Sequence, residues 1–251
     1  MPISTLVRRL ARAPQPQIPA GQRVYAVGDI HGRLDLLDDL LVRIEADAAE
    51  RAPADTILVF LGDLVNRGPD SCGVVERLLA LSRERPGTRF LKGNHEQVLL
   101  RAVAGDPKAL RFLVRIGGRA TLLSYGIPDS EYDKLDYVAL TERFMALVPQ
   151  EHVEFLAGFA NWLEIGDYLF VHAGLRPGVS IEDQKPEDLC WIRGEFLDHR
   201  SSFGKVVVHG HSISQEVQVR PNRIGIDTGA YASGRLSAVG LERGDRWFLS
   251  T

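Results

Sequence analysis

Three apolar runs constrain this chain more than any other feature, because each ends in glycine and a polar residue and then gives way to a helical pattern. They are RVYAVGD, TILVFLGD and TRFLKGN, and their terminal residues Asp29, Asp63 and Asn94 stand 34 and 31 residues apart. Each interval is the size of one βαβ crossover. The helix predicted after the first run repeats its apolar face at Leu34, Leu37, Leu41, Ile44 and Ala48, close to the 3.6-residue period of an amphipathic helix. A parallel central sheet follows.

The pattern then changes twice. From about Glu96 to Leu156 it is helical, through HEQVLLRAVAG, PKALRFLVRIGG and YVALTERFMALVPQ, with glycine and proline between. A helical subdomain near the cleft is expected over residues 96–156. After it come FANWLEI and DYLFVHAG, joined at Gly166-Asp167 as a hairpin would be, then KVVVHGHS, EVQVRPNRIGIDTG, RLSAVGLE and RWFLS. A parallel first half and a mostly antiparallel second half predict an α/β fold of two mixed sheets packed face to face with helices outside. Residues 1–20 carry Arg8, Arg9 and Arg12 among Pro14, Pro16 and Pro19, without a sustained period. They read as a flexible basic arm, with order starting near Arg23 and residues 21–251 forming one domain.

Composition excludes several roles. Of 251 residues, 45% are hydrophobic and 25% charged, which suits a globular domain. The formal charge of -3 leaves no basic excess for wrapping a polyanion, so no nucleic-acid binding is expected. No run reaches the roughly 18 to 20 apolar residues of a membrane span, and the first twenty residues lack an export signal's apolar stretch. No membrane partner and a cytoplasmic location are the expectations. Cys72 and Cys190 cannot build a disulfide framework and read as packing residues.

The chemistry-bearing residues lie at strand ends, where ligands of open α/β sheets bind. Asp29, Asp63 and Asn94 end the first three strands. Asp29 and His31, two residues apart in GDIHG, can share a face of an extended segment. His172 in FVHAG and His211 in VVHGHS end strands of the second half. Two carboxylates, an amide and three imidazoles without a thiolate make an N/O donor set for manganese, iron or zinc.

GDIHG, GDLVNRG, GNHE, HAG and HGH, in that order, resemble the phosphoprotein phosphatase family of binuclear metallophosphoesterases over about residues 23–250. The resemblance implies the four-layer αββα sandwich of two mixed sheets with flanking helices. It implies two divalent cations, manganese first and iron or zinc as alternatives. Asp29 and His31 would hold one cation and Asn94, His172 and His211 the other, with Asp63 bridging them. A paired-cation site can acidify a shared water for attack and clamp phosphoryl oxygens during in-line displacement. Arg67, and more loosely Arg193 in LCWIRGEFL, match the family's phosphate-gripping arginines, whose forks fit phosphate oxygens. Asn94 would also contact substrate. His95 would protonate the leaving oxygen.

One position departs from the pattern. Protein phosphatases of this family carry Asp where this chain has Asn66, and a neutral amide cannot support an imidazolium as a carboxylate does. GDLVNRGPDS is more similar to symmetrical diadenosine tetraphosphate hydrolases and related phosphatases, whereas GNHE and LCWIRGEFL are more similar to bacterial serine/threonine phosphatases. The leading expectation is a phosphatase for phosphoserine or phosphothreonine in proteins. The alternative is a symmetrical dinucleoside polyphosphate hydrolase, with a nucleotide in place of the phosphorylated protein. A catalytically silent phosphoprotein-binding scaffold is disfavoured by the intact ligand set and His95. Plainer readings apply elsewhere. His209 supports the site without ligating, His152 and His199 are surface residues, and Trp162, Trp191 and Phe196 pack. Asp227 makes a turn, while Tyr231 is kept as a substrate contact.

Overall fold

The computed structural model describes residues 15–251. Ten strands form two five-stranded sheets. β1 (Gln22–Val27), β2 (Asp55–Phe60) and β3 (Arg89–Phe90) run parallel in the first sheet, whose order is β10-β9-β1-β2-β3. The helices of the crossovers are α1 (Leu34–Glu50) and α2 (Ser71–Glu84). Asp70 caps α2 by accepting from the Gly73 N–H at 2.8 Å. α1 buries Leu37, Leu40, Leu41 and Ile44, while Leu34 and Ala48 are only partly covered.

The second sheet has the order β4-β5-β6-β8-β7, built from β4 (Trp162–Ile165), β5 (Tyr168–Val171), β6 (Val206–His209), β7 (Gln218–Arg220) and β8 (Arg223–Gly225). The Gly166-Asp167 hairpin forms, with Ile165 opposite Tyr168. The second half is less antiparallel than its sequence suggests. β5, β6 and β8 are parallel, because long connections containing short helices separate β5 from β6. The last hairpin, β9 (Ser237–Glu242) and β10 (Asp245–Ser250), returns to the first sheet and pairs antiparallel with β1.

Alternation along the strands builds the four layers. Val24 and Ala26, Val59 and Leu61, Phe170, Val206 and Val208, and Val239 and Leu241 fill the space between the sheets. Tyr25, Val27, Leu58 and Phe60 point the other way, into α1 and α2. Leu169, Val171 and Val207 meet Leu189, Ile192 and Phe196 on the outer face of the second sheet.

The sequence between β3 and β4 forms α3 (Asn94–Val103), α4 (Pro107–Leu113), a π-type segment Val114–Gly118, α5 (Arg119–Ser124), α6 (Asp129–Tyr132), α7 (Tyr137–Leu147) and α8 (Gln150–Ala157). Short helices α9 (Pro186–Trp191), α10 (Gly194–Leu197) and α11 (Ala230–Ser233) sit in the second half. Among the described residues no helix is long and apolar enough to cross a membrane. The basic arm expected over residues 1–20 lies outside the described residues up to residue 14. Its end is ordered earlier than Arg23: Ile18 is buried between the sheets and its N–H donates to Arg243 O at 2.8 Å.

Candidate active site

Loops beyond the carboxyl ends of β1, β2, β3, β5 and β6 converge on one buried pocket. Asp29 follows β1, Asp63 follows β2, Asn94 opens α3 after β3, and His172 and His211 follow β5 and β6. Six non-glycine residues with positive φ occur among the described residues, and five of them, His31, Asp63, Asn66, Arg67 and His211, belong to these loops. Such backbone is costly and persists where the surroundings over-determine it. Two glycines allow the approach. Gly62 has φ +100°, and a Cβ there would lie 2.5 Å from Gly93 N. A Cβ at Gly210 would collide with the Asp29 carboxylate.

Asp63 is the centre of the cluster. Its Oδ2 lies 3.7 Å from both His31 Nε2 and His95 Nε2, and its Oδ1 lies 3.4 Å from His172 Nε2. His31, Asp63 and His95 form one compact donor triad, and Asp63, His172 and His211 form a second. His31 donates from Nδ1 to Val65 O and His172 from Nδ1 to Leu61 O, both at 2.9 Å, which turns each Nε2 inward. Asn94 Oδ1 lies 3.1 Å from His172 Nε2. Asp29, expected beside His31, also meets the backbone of the fifth loop. Both Asp29 oxygens accept from the His211 N–H, at 3.0 and 3.2 Å, and Asp29 stands outside both triads.

The electrostatics call for positive charge. Burial, then Asp227 and Asp63, push the Asp29 carboxyl well above its ordinary range. Burial also works against charge on Asp63, but His172, His95 and His31 together outweigh it and hold that carboxyl well below its ordinary range. Desolvation lowers His31 and His211 to about 3, so both are neutral imidazoles. His211 Nε2 is buried without a hydrogen-bond partner. Neutral imidazoles, an orphaned ring nitrogen and mutually repelling buried carboxylates fit divalent cations.

His95 is set by a chain of hydroxyls that the sequence did not reveal. The Asn66 N–H donates to Ser71 Oγ at 2.9 Å and Thr121 Oγ1 at 3.0 Å, and these two hydroxyls lie 2.8 Å apart. Thr121 Oγ1 donates to Asn66 Oδ1 at 2.7 Å, so Asn66 Nδ2 donates to His95 Nδ1 at 2.7 Å. The reversed amide would make Thr121 donate to Ser71 and leave the buried Ser71 proton without an acceptor. With Nδ1 accepting from Asn66, the His95 proton sits on Nε2, and Arg67 Nη2, itself only a donor, is a 3.4 Å neighbour of that nitrogen and not the acceptor of its proton. Burial drives His95 down to about 4, Arg67 adding to the effect. The Thr121 contact spans 55 residues, and nothing local in the sequence marks it.

Glu96 is a second residue with an unforeseen task. Its carboxylate accepts from the N–H groups of Asp63 (2.8 Å), Gly93 (2.9 Å) and Leu64 (2.9 Å), clamping the Asp63 loop to the start of α3. Its place three residues after Gly93, at the third position of a helix, was the available signal. Arg67 lies with its guanidinium 4.6 Å from the Tyr231 ring centre, and Tyr231 stands edge-on to His31 at 5.5 Å. Arg193 is exposed at the start of α10, and its charge reaches His211. Asp227 accepts from the Gly229 N–H at 2.9 Å, the expected turn, and faces the carboxylate pocket as well. His209 is buried against Phe196. His152 is buried too, against the surface expectation, because it packs on α2 and α5 and accepts from Tyr125 Oη at 3.1 Å.

Comparisons with known proteins agree with one another on the family. The profile of the calcineurin-like phosphoesterase family matches residues 22–236. A symmetrical bis(5'-nucleosyl)-tetraphosphatase from Ralstonia nicotianae is 34% identical over 154 residues, 61% of this chain and 42% of that protein. The chain thus spans under half the length of that relative. An asymmetrical bis(5'-nucleosyl)-tetraphosphatase from Bacillus subtilis is 27% identical over 229 residues, 84% of this chain and 87% of the other. A solved structure described as a candidate diadenosine tetraphosphatase covers 94% of this chain and 98% of its own, at 25% identity and a TM-score of 0.62.

Proposed function

The chain belongs to the calcineurin-like phosphoesterase family, and from that premise we propose that it hydrolyses dinucleoside polyphosphates. The observation that carries this choice is the 2.7 Å contact between Asn66 Nδ2 and His95 Nδ1. An amide that donates to the imidazole leaves it a hydrogen-bond donor at Nε2 but gives no anionic support to an imidazolium. A serine or threonine alkoxide must be protonated as it leaves. A nucleoside phosphate leaves as a stabilised anion, so a hydrogen bond suffices. The names of the relatives from Ralstonia nicotianae and Bacillus subtilis support the same reading. The phosphoprotein reading, first from the motifs alone, has weaker support on both counts.

In this reading His31, Asp63, Asn94, His172 and His211 would hold two divalent metal ions, manganese first, with Asp29 placed to complete the first position. Bound there, the ions would withdraw charge from phosphoryl oxygens and acidify a water. Arg67, and Arg193 from the facing loop, orient the phosphates through their planar forks. His95 donates from Nε2 to the departing phosphate oxygen. Asn66 holds the ring for that task, and Thr121 holds Asn66. Glu96 fixes the loop that carries Asp63.

The test is chromatography of the products formed from diadenosine tetraphosphate with manganese supplied. Two ADP per substrate are expected, as for symmetrical cleavage. AMP with ATP would move the cleavage position, and intact dinucleotide beside a dephosphorylated phosphothreonine peptide would reject the reading.

A further inference from the structure

Two grooves lie beside the histidine cluster, and each has an aromatic ring packed against one of its histidines, Tyr231 on His31 and Trp191 on His211. The first encloses about 710 Å³ and runs from Tyr231 and Arg67 past Arg33 to Asp38 at the start of α1. Tyr231 borders His31, which faces Asp63 Oδ2, and 36% of its surface is exposed. The second encloses about 590 Å³ between α3, α4 and α9, with Lys92, Arg101, Phe112 and Trp191 on its walls. Trp191 lies 6.4 Å from His211, whose neighbour His172 faces Asp63 Oδ1. Its indole N–H is fixed on Gln97 Oε1 at 2.9 Å, and the exposed ring of Phe112 lies 6.0 Å from it.

A phosphorylated side chain presents one leaving group and accounts for one groove. Arg33 is paired with Asp35 and Arg101 with Asp106, and Asp70 and Glu187 also line the walls, so the grooves are of mixed charge away from the cluster. Two such grooves, each with an exposed ring near the cluster, match a ligand whose phosphates lie in the middle and whose flat rings lie at both ends. We infer that the grooves are base-binding subsites for the two ends of one dinucleoside polyphosphate, with Tyr231 as one platform and Phe112 beside Trp191 as the other. Base stacking on such rings tolerates any base, so the site reads two-endedness and not base identity. Asp38 on the first rim accepts from Arg77 through Oδ1 at 3.1 Å, and its Oδ2 is the oxygen offered to a ribose hydroxyl.

This inference rests on the proposed hydrolase reading, and one experiment separates the two. The reporter is turnover of p-nitrophenyl phosphate, inhibited either by diadenosine tetraphosphate or by inorganic tripolyphosphate, which has the phosphates without the rings. In Phe112→Ser and in Tyr231→Ser the ratio of the dinucleotide Ki to the tripolyphosphate Ki should rise about 5- to 150-fold. The double variant should show the product of the two effects, because the rings occupy different grooves. A ratio that stays at the wild-type value in either variant overturns the two-ended site. Because each ratio is taken within one variant, partial loss of folded protein cancels. Chromatography of the same mixtures reads the other claim. Cleavage with an unmoved ratio would keep the hydrolase and reject the grooves, whereas intact dinucleotide with the expected ratio would keep the grooves and reject the hydrolase.

Discussion

Asn66 turns its amide nitrogen toward His95 and its oxygen toward Thr121, and two substitutions test what that orientation does. Asn66→Asp replaces a donor with an anionic acceptor, which favours the imidazolium and lets His95 protonate a poor leaving group. We expect kcat/KM for a phosphothreonine peptide to rise about tenfold relative to that for diadenosine tetraphosphate. An unchanged ratio would remove Asn66 from leaving-group control. Thr121→Val leaves Asn66 Oδ1 buried without its donor, at a cost of about 1 to 3 kcal/mol in stability. It also frees the amide to flip, so kcat should fall, while Thr121→Ser should restore both kcat and the denaturation midpoint. The two residues differ in how legible they were. Asn66 stood out because it sits in a motif at a strand end, whereas Thr121 is an ordinary hydroxyl on a helix, joined to the site only by the fold.

At the scale of elements, the π-type segment Val114–Gly118 joins the helical subdomain to the catalytic loops. Gly117 O accepts from the Arg67 N–H at 2.9 Å, and Gly117 has φ +104°. A Cβ there would approach Arg67 Cγ to 2.7 Å. Gly117→Ala should therefore cost about 1 to 3 kcal/mol in urea unfolding and raise KM several-fold by displacing Arg67. A normal KM with lowered stability would separate Arg67 from substrate. The βα units were readable because each apolar run ends in Gly-Asp or Gly-Asn and feeds a periodic helix. The return of β9 and β10 to the first sheet was not, since strand order is set by pairing across more than 200 residues, as between Arg23 and Glu242. The contact of the Asp29 carboxylate with the backbone of His211 was illegible for a related reason: it spans 182 residues and depends on the glycine at 210, where a Cβ would collide with that carboxylate.

Over the whole molecule, apolar packing joins the helix layer to the first sheet, and one carboxylate adds a polar tie between α1, β1 and β10. Asp47 on α1 accepts from Arg51 at 2.8 and 3.0 Å, from Trp247 Nε1 on β10 at 2.8 Å, and from Tyr25 Oη on β1. Burial opposes its charge, but the donors Arg51, Tyr25 and Trp247 outweigh it and hold the carboxyl below its usual range. A depressed folded-state pKa gives stability that is complete above the unfolded value and is lost as pH falls through the folded one. Asp47→Asn should thus lower stability by about 1 to 3 kcal/mol at neutral pH, with the gap to wild type closing in acid, as read from urea midpoints across pH. A gap that persists below both values would mean that packing of Asp47, not its charge, joins the layers. The central claim concerns which phosphate ester the assembled cleft hydrolyses. Its most direct test is a comparison of steady-state kcat/KM, with manganese supplied, on diadenosine tetraphosphate and on a phosphothreonine peptide. A large preference for the dinucleotide is predicted, and a preference for the peptide would contradict the account.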